Sequence, residues 1–415
     1  MSTSETANRL PLTDVVILDL GDDALLFASR LLAALGARVV RIESSTGDLI
    51  RHRPPFVGHV PGIERSLAHI LYNAGKESLA LALDRSESWD LVAKLAPACD
   101  VVIAPIERTS LAQKFFDSAL DPQHSALVEA VLRRDAPDAA VTDLIGTAAG
   151  GLLYLNGFPD DPPNVPAGRL AYKQASLAAA LGAMSLVMER RRTGHAGRIT
   201  VSMQEAVTWT TIQTANENYW PWHQQKPRRQ GIHNLGGRTV FPARDGRWVS
   251  FYLHPPYWDN YVQWAREVTG SDELASPEYR DRLYRYQHGG ARISRTTEAI
   301  CQALDRDALV AEAQRRSLLV VPVQSPADIA SDPHLRERGF FERVDYPQFD
   351  AAIETVRPPF LSSAYRAKAG RAPLLGEHSR AVLRDLGKFN DTEIEALVRD
   401  GIVAATERVA EEASV

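Results

Sequence analysis

Cysteine is almost missing from this chain: Cys99 and Cys301 are the only two in 415 residues. Neither lies in a Cys-x-x-Cys pair or a Cys/His cluster, so neither a disulfide framework nor a metal site is expected. A strong charge of either sign is also missing. The formal net charge of -5 gives no reason to expect nucleic acid or an anionic membrane surface as a partner. No apolar run reaches the roughly 18 residues of a membrane span. The opening MSTSETANRLPLTD has no basic start followed by an apolar core, so no signal peptide is expected. Internal repeats and low-complexity segments are absent too. A cytoplasmic globular protein is the default that remains.

What is present is an ordinary core-forming composition, 45% hydrophobic and 24% charged. At this length the chain is expected to form two or three domains, or one large interwoven one. Val15 to Leu20 reads as a buried strand, Leu25 to Leu35 as a helix capped by Gly36, and Arg38 to Ile42 as a second strand. That is a parallel βαβ unit. Leu79 to Leu83, the helix around Trp89 to Leu95, and Val101 to Ala104 repeat the pattern. The N-terminal part is therefore predicted to be α/β with a mainly parallel sheet. Ala175 to Arg192 reads as a long buried helix, Ile199 to Ser202 as a strand and Gln204 to Asn218 as another helix. A linker rich in Trp, His, Arg and Gly follows to Gly237. The segment from Thr239 to Leu253 reads as a hairpin turning at Asp245-Gly246. The predicted division is a large domain from 1–220, a linker and small domain over 221–330, and a return to the large domain over 331–415.

Several stretches, in order and spacing, carry a resemblance. They are Val16 to Glu43, then Gly47-Asp48 and Arg51, then Asn73-Ala-Gly-Lys76 with Leu79 to Asp84. Thr142 to Gly157, Arg192-Thr-Gly194, Val201 to Ala206, Val240-Phe-Pro, Asp332 to Gly339 and Leu375 to His378 continue it. Together they resemble the family III CoA-transferases of the formyl-CoA and carnitine-CoA transferase type, over about residues 14 to 403. The resemblance implies a Rossmann-like large domain built from both chain ends, a smaller α+β domain in the middle, and an interlocked dimer. It implies coenzyme A or acyl-CoA as substrate rather than a permanently bound cofactor. It also implies a reaction in which an aspartate carboxylate attacks a thioester, forming covalent intermediates.

The chain departs from that pattern where the chemistry belongs. Counting back from Leu181-Gly182 and Thr193-Gly194, the position of the family aspartate holds Tyr172, and no Asp or Glu lies between Asp161 and Glu189. A phenol with a pKa near 10 is a poor substitute for a carboxylate at neutral pH. A cation at Lys173 is placed in sequence to lower it. The family's Ala-Gly-Pro after the first strand is replaced around Leu25-Leu26-Phe27, its Asn-Phe by Pro105-Ile106, and its glycine-rich loop by Arg133 to Pro137. No catalytic residue is therefore expected in this chain.

The residues expected to bind are cations. Lys76 matches a family lysine on the CoA nucleotide, and a cation suits phosphate or adenine recognition; a solvated surface lysine is the plain alternative. Arg41, Arg51 and Arg53 are candidates for the CoA phosphates, with surface charge as the alternative. Gly231, Gly236 and Gly237 fall where the family has a mobile glycine loop, or are linker glycines. Asp143 reads as a helix N-cap, or as a surviving acid. Trp220, Trp222, His223 and His233 read as linker packing or pocket lining, His195 as surface, and Cys99 as core.

Three functions follow as expectations. The first is the aspartate-lacking partner in a heteromeric transferase, because the family includes two-subunit members of the succinyl-CoA:benzylsuccinate type. That reading calls for a paralogous subunit carrying the aspartate. The second is a CoA-ester racemase, isomerase, lyase or hydrolase on the same fold. The third is a CoA-ester binding protein without turnover.

Overall fold

The computed structural model describes residues 9–106, 108–119, 125–137, 139–211, 224, 229, 231, 233–234, 237–253 and 255–406. The labelled elements are β1 (Val16–Asp19), α1 (Leu26–Ala34), β2 (Arg38–Ser44), α2 (Leu67–Tyr72), β3 (Glu77–Leu81), α3 (Ser86–Leu95) and β4 (Val101–Ile103). They continue with β5 (Ala126–Val131), α4 (Asp143–Ala149), α5 (Leu170–Thr193), β6 (Arg198–Ser202), α6 (Met203–Thr211) and β7 (Val403–Ala404). The seven strands form one sheet in the order β7-β3-β2-β1-β4-β5-β6. Six run parallel, and β7 joins β3 antiparallel.

Strand residues alternate between two cores, as the period of two requires. Ile17, Val39, Val101, Ile103 and Val128 pack on the α1 and α5 side. Leu18, Val40, Ile42, Leu79, Leu81, Val102 and Leu127 pack with α3 and the C-terminal helices. Burial on both faces explains why the strands read as continuous apolar runs. β5 is not among the expected strands, because Glu129 interrupts its apolar run. That carboxylate is held by Arg108, Arg198 and Thr200.

The long helix begins at Leu170, five residues before the expected Ala175, so Tyr172 lies in its first turn. The reason is a cap from elsewhere. Arg169 offers no side-chain cap, and Asp143 Oδ1 accepts the Tyr172 N–H at 3.0 Å. Asp143 is thus not the cap of its own helix: Thr142 caps α4, accepting from Ile145, and Asp143 caps α5 instead. The far end of α5 closes on Gly194, whose left-handed φ of 81° lets its N–H reach Arg190 O at 2.8 Å.

The chain divides into two compact units, Met1–Leu153 with Val165–Gln224 and Arg338–Val415, and Tyr154–Asn164 with Gln225–Glu337. The second unit holds a three-stranded antiparallel sheet with Trp248–Tyr252 between Val240–Pro242 and Leu319–Pro322. Its core is aromatic and aliphatic, with Phe241, Phe251, Tyr261, Trp264 and Ile300 fully or nearly buried. Among the described residues, no helix is long and apolar enough to cross a membrane.

The C-terminal segment of the first unit crosses α2 and β3 closely. Gly75 N–H bonds to Arg371 O at 2.9 Å. Gly370 has φ 76°, and a Cβ there would stand 2.6 Å from Gly75 Cα, a backbone atom that has no freedom to yield. Gly370→Ala is therefore expected to cost about 2–4 kcal/mol. A urea unfolding curve will read this as a lower midpoint at unchanged slope.

Candidate functional site

In a doubly wound sheet, ligands bind beyond the carboxyl ends of the strands where the strand order reverses. Here the order reverses between β1 and β4. The loops following those two strands line a cavity of about 330 Å³. Leu20 to Asp23 and Leu26 come from the β1 side, Pro105 and Ile106 from the β4 side, and Arg41, Asp48, Leu49 and Ile50 from β2 and its loop. Val141 and Tyr172 complete the wall. A second, smaller cavity of about 10 Å³ shares Asp23, Ile50 and Tyr172 with the first.

Beneath the large cavity lies a closed ionic network. Strand register sets Asp19 directly beside Arg41. Arg41 Nη1 reaches Asp19 Oδ1 at 3.1 Å, and its Nε reaches Asp48 at 2.8 Å. Lys76 Nζ meets Asp19 Oδ2 at 2.9 Å, Asn73 Oδ1 at 3.0 Å and Leu26 O at 3.3 Å. Ser29 donates to the same Asp19 oxygen at 2.6 Å. Burial alone pushes the Asp19 carboxyl up, but Lys76 and Arg41 outweigh it, and the pKa falls below the ordinary value. Burial pulls Lys76 down to about 8, with Asp19 opposing.

A second network is equally closed. Arg51, with a fully buried side chain, holds Glu43 at 2.6 and 2.8 Å, Glu64 at 2.6 Å and Pro373 O at 3.2 Å. Burial drives the Glu43 pKa up, yet Arg51 brings it down to about 2. His69 links the two networks. Its Nε2 donates to Pro373 O at 3.1 Å and its Nδ1 accepts from Asn73 at 3.0 Å, which assigns a neutral ring. Burial, then the charge of Arg51, lowers its pKa to about 3.

The folded state thus excludes a proton that the unfolded chain takes up near pH 6.5. The stability due to His69 is complete above that pH. It is lost as pH falls from 6.5 toward 3, at about 1.4 kcal/mol per unit. Urea midpoints taken between pH 7 and 4 are expected to fall more steeply for the wild type than for His69→Gln.

Tyr172 is half-buried against the α1–α5 core. Its hydroxyl lies 3.5 Å from Val141 O, a long contact. Burial, with Asp22 and Asp23 nearby, pushes the phenol above its ordinary pKa, and Arg169 only partly opposes this. This corrects the expectation that Lys173 lowers it. The neighbouring carboxylates are all engaged. Asp143 caps α5. Asp22 accepts the N–H groups of Ile106 at 2.8 Å and Ala24 at 3.2 Å, and burial raises its pKa despite them. Asp23 is bound by Arg53 and by Arg169, the latter at 3.0 Å.

Comparison with known proteins decides the family. A model of CoA-transferase family III matches residues 12–379. The chain belongs to the family III CoA-transferases. Among similar members is the succinyl-CoA:(R)-benzylsuccinate CoA-transferase subunit BbsE of Thauera aromatica, 27% identical over 91% of this chain and 95% of that protein. Another is the succinyl-CoA:mesaconate CoA-transferase of Haloarcula marismortui, 28% identical over 87% and 92%. A CAIB/BAIF family protein from Brucella suis shares the fold, with a TM-score of 0.77 at 21% identity, covering 91% of this chain and all of that one.

Within this family III CoA-transferase chain, the residues singled out by sequence separate into groups. Tyr172 and Arg41 line the large cavity, and Arg53 lines the small one. Lys76 and Arg51 do not face either. Their charged ends are bonded inside the protein, to Asp19 for Lys76 and to Glu43 and Glu64 for Arg51. Leu25 is fully buried, while Leu26 and Phe27 each line a cavity. Gly237 pairs with Asn234 in a two-residue ladder, and Gly231 has φ 59° and lies against Phe158. Gly236, Trp220, Trp222 and His223 lie outside the described residues, and of His233 only the backbone is described. His195 is exposed and Cys99 is buried, its thiol pushed up to about 12. Among the described residues, no cluster of His, Cys, Asp or Glu is placed to hold a metal.

Sequence reading missed Asp22, Asp23, Tyr72 and Arg169. The Asp22-Asp23 pair precedes the bulky Leu25-Leu26-Phe27 and carries no motif that marks it. Arg169 carried no signal, since a non-glycine residue at φ 53° is not legible from composition.

Proposed function

We propose that this chain is the aspartate-lacking subunit of a heteromeric family III CoA-transferase. The complex moves CoA from an acyl-CoA such as succinyl-CoA to an organic carboxylate. A paralogous subunit supplies the aspartate, and the two chains pair in the interlocked manner of the family. The CoA ester is taken to occupy the cavity at the β1–β4 switch point.

One observation supports this reading: Tyr172, which by count from Leu181-Gly182 stands at the family aspartate's position, lies in the first turn of α5 as a phenol pushed above its ordinary pKa. In the covalent route, a carboxylate oxygen attacks the thioester carbonyl, the C–S bond breaks, and CoA thiolate leaves a mixed anhydride. The thiolate then attacks the enzyme's own acyl carbon and releases the free acid. Among the described residues, the hydroxyl of Tyr172 has the carbonyl of Val141 as its hydrogen-bond partner and no base to take its proton. Asp22 accepts backbone N–H groups on both oxygens, Asp23 Oδ2 holds Arg53 and Arg169, and Asp143 Oδ1 caps α5. The relative BbsE is itself named as a subunit, which fits. Co-expression with an aspartate-bearing paralogue, followed by size-exclusion chromatography, is expected to give one complex containing both chains. Recovery of this chain only as a self-assembled species that transfers CoA at full rate overturns the reading.

A further inference from the structure

We propose that Arg53 and Arg169 form a receptor for a carboxylate, occupied by Asp23 in the free chain and taken over by a carboxylic acid ligand that displaces it. Three separate elements converge on this point. Asp23 lies in the loop after β1, Arg53 follows the short turn Leu49–His52, and Arg169 precedes α5. Both guanidinium groups bond to the same oxygen, Asp23 Oδ2. Two arginines on one carboxylate are the arrangement that recognises carboxylic acids generally.

Charge and space both point outward from Asp23. The small cavity is lined by three cations, Arg53, Arg169 and Lys173, against the single acid Asp23. Lys173 makes no ion pair among the described residues. An excess of positive charge in a recess favours an anion. Yet the recess holds only about 10 Å³, roughly one water molecule. A ligand carboxylate has no room beside Asp23 and must replace it.

Asp23, Ile50 and Tyr172 are the residues common to both cavities. When Asp23 turns aside, the recess opens into the space of about 330 Å³, where the body of the ligand fits. Leu26, Ile50 and Ile106 of that larger space offer an apolar wall for a carbon chain. Lys173 adds a third positive charge to the recess, so the ligand class is a carboxylic acid. The inference rests on the transferase reading for the meaning of the ligand as substrate, and on the geometry alone for its binding.

Asp23 is tethered and competes at a high effective concentration. The wild-type chain is therefore expected to bind free acid weakly. Isothermal titration of the isolated chain with succinate, without CoA or partner, tests this. Asp23→Asn is expected to bind succinate at least about ten-fold more tightly than the wild type, and Asp23→Ser is to behave alike. Adding Arg169→Met or Arg53→Met to Asp23→Asn is expected to abolish the gain. No gain in either Asp23 variant, each checked for an unchanged melting curve, overturns the proposal, as does a gain that survives loss of both arginines. An isolated chain that proves fully active sinks the subunit reading while leaving this binding result intact.

Discussion

Lys76→Met is expected to lower the unfolding free energy by about 3–5 kcal/mol, because it leaves a buried carboxylate without its nearest counter-charge. Lys76 and Asp19 both have fully buried side chains, 2.9 Å apart. The Asn73 oxygen also loses its lysine donor, and the Leu26 carbonyl keeps Ser29 but loses Lys76. Arg41 still touches Asp19 at 3.1 Å, which keeps the loss toward the lower end of that range. A double-mutant cycle separates this role from any other. Asp19→Asn removes the charge that Lys76 neutralises, so the pair Asp19→Asn with Lys76→Met is expected to cost less than the sum of the singles. The difference is expected to be about 1–3 kcal/mol. Additive losses contradict the pairing. A Lys76→Met chain as stable as the wild type contradicts the view of Lys76 as a structural counter-ion and returns it to the ligand.

The sheet was legible where the residues declare their own burial. Val15 to Leu20, Arg38 to Ile42 and Val101 to Ala104 are short apolar runs separated by helix-length segments, and a parallel βαβ arrangement accommodates them. β5 was hidden because Glu129 looks like a surface residue until Arg108 and Arg198, distant in sequence, are seen to hold it. The start of α5 was hidden for a similar reason. Its cap is Asp143, 29 residues earlier, and local rules look for a cap in the residue that precedes the helix.

The cations of the site show the same limit more sharply. Lys76, Arg41 and Arg51 are recognisable as unusual, since each stands next to an apolar strand or turn. What each one binds depends on partners such as Asp19, Asp48 and Glu64, which only the fold brings within reach. Sequence distinguishes a cation from its neighbours, and it does not distinguish a ligand contact from an internal ion pair. Tyr172 is the opposite case. That it is a phenol is intrinsic to the side chain and needs no fold to read. Burial and the surrounding acids raise its pKa further.

The central claim concerns where the nucleophile resides. With succinyl-CoA as donor and a dicarboxylate as acceptor, the isolated chain is expected to transfer CoA at least about 10³-fold more slowly than its complex with an aspartate-bearing paralogue. In that complex Tyr172→Phe is expected to change the rate by no more than about three-fold, because the hydroxyl makes only a long contact with Val141. Replacing the paralogue's aspartate with alanine is expected to abolish transfer. The most direct measurement is the transfer rate of the purified chain alone. A rate indistinguishable from the uncatalysed control is expected; a rate matching the complex, lost on Tyr172→Phe, places the nucleophile in this chain instead.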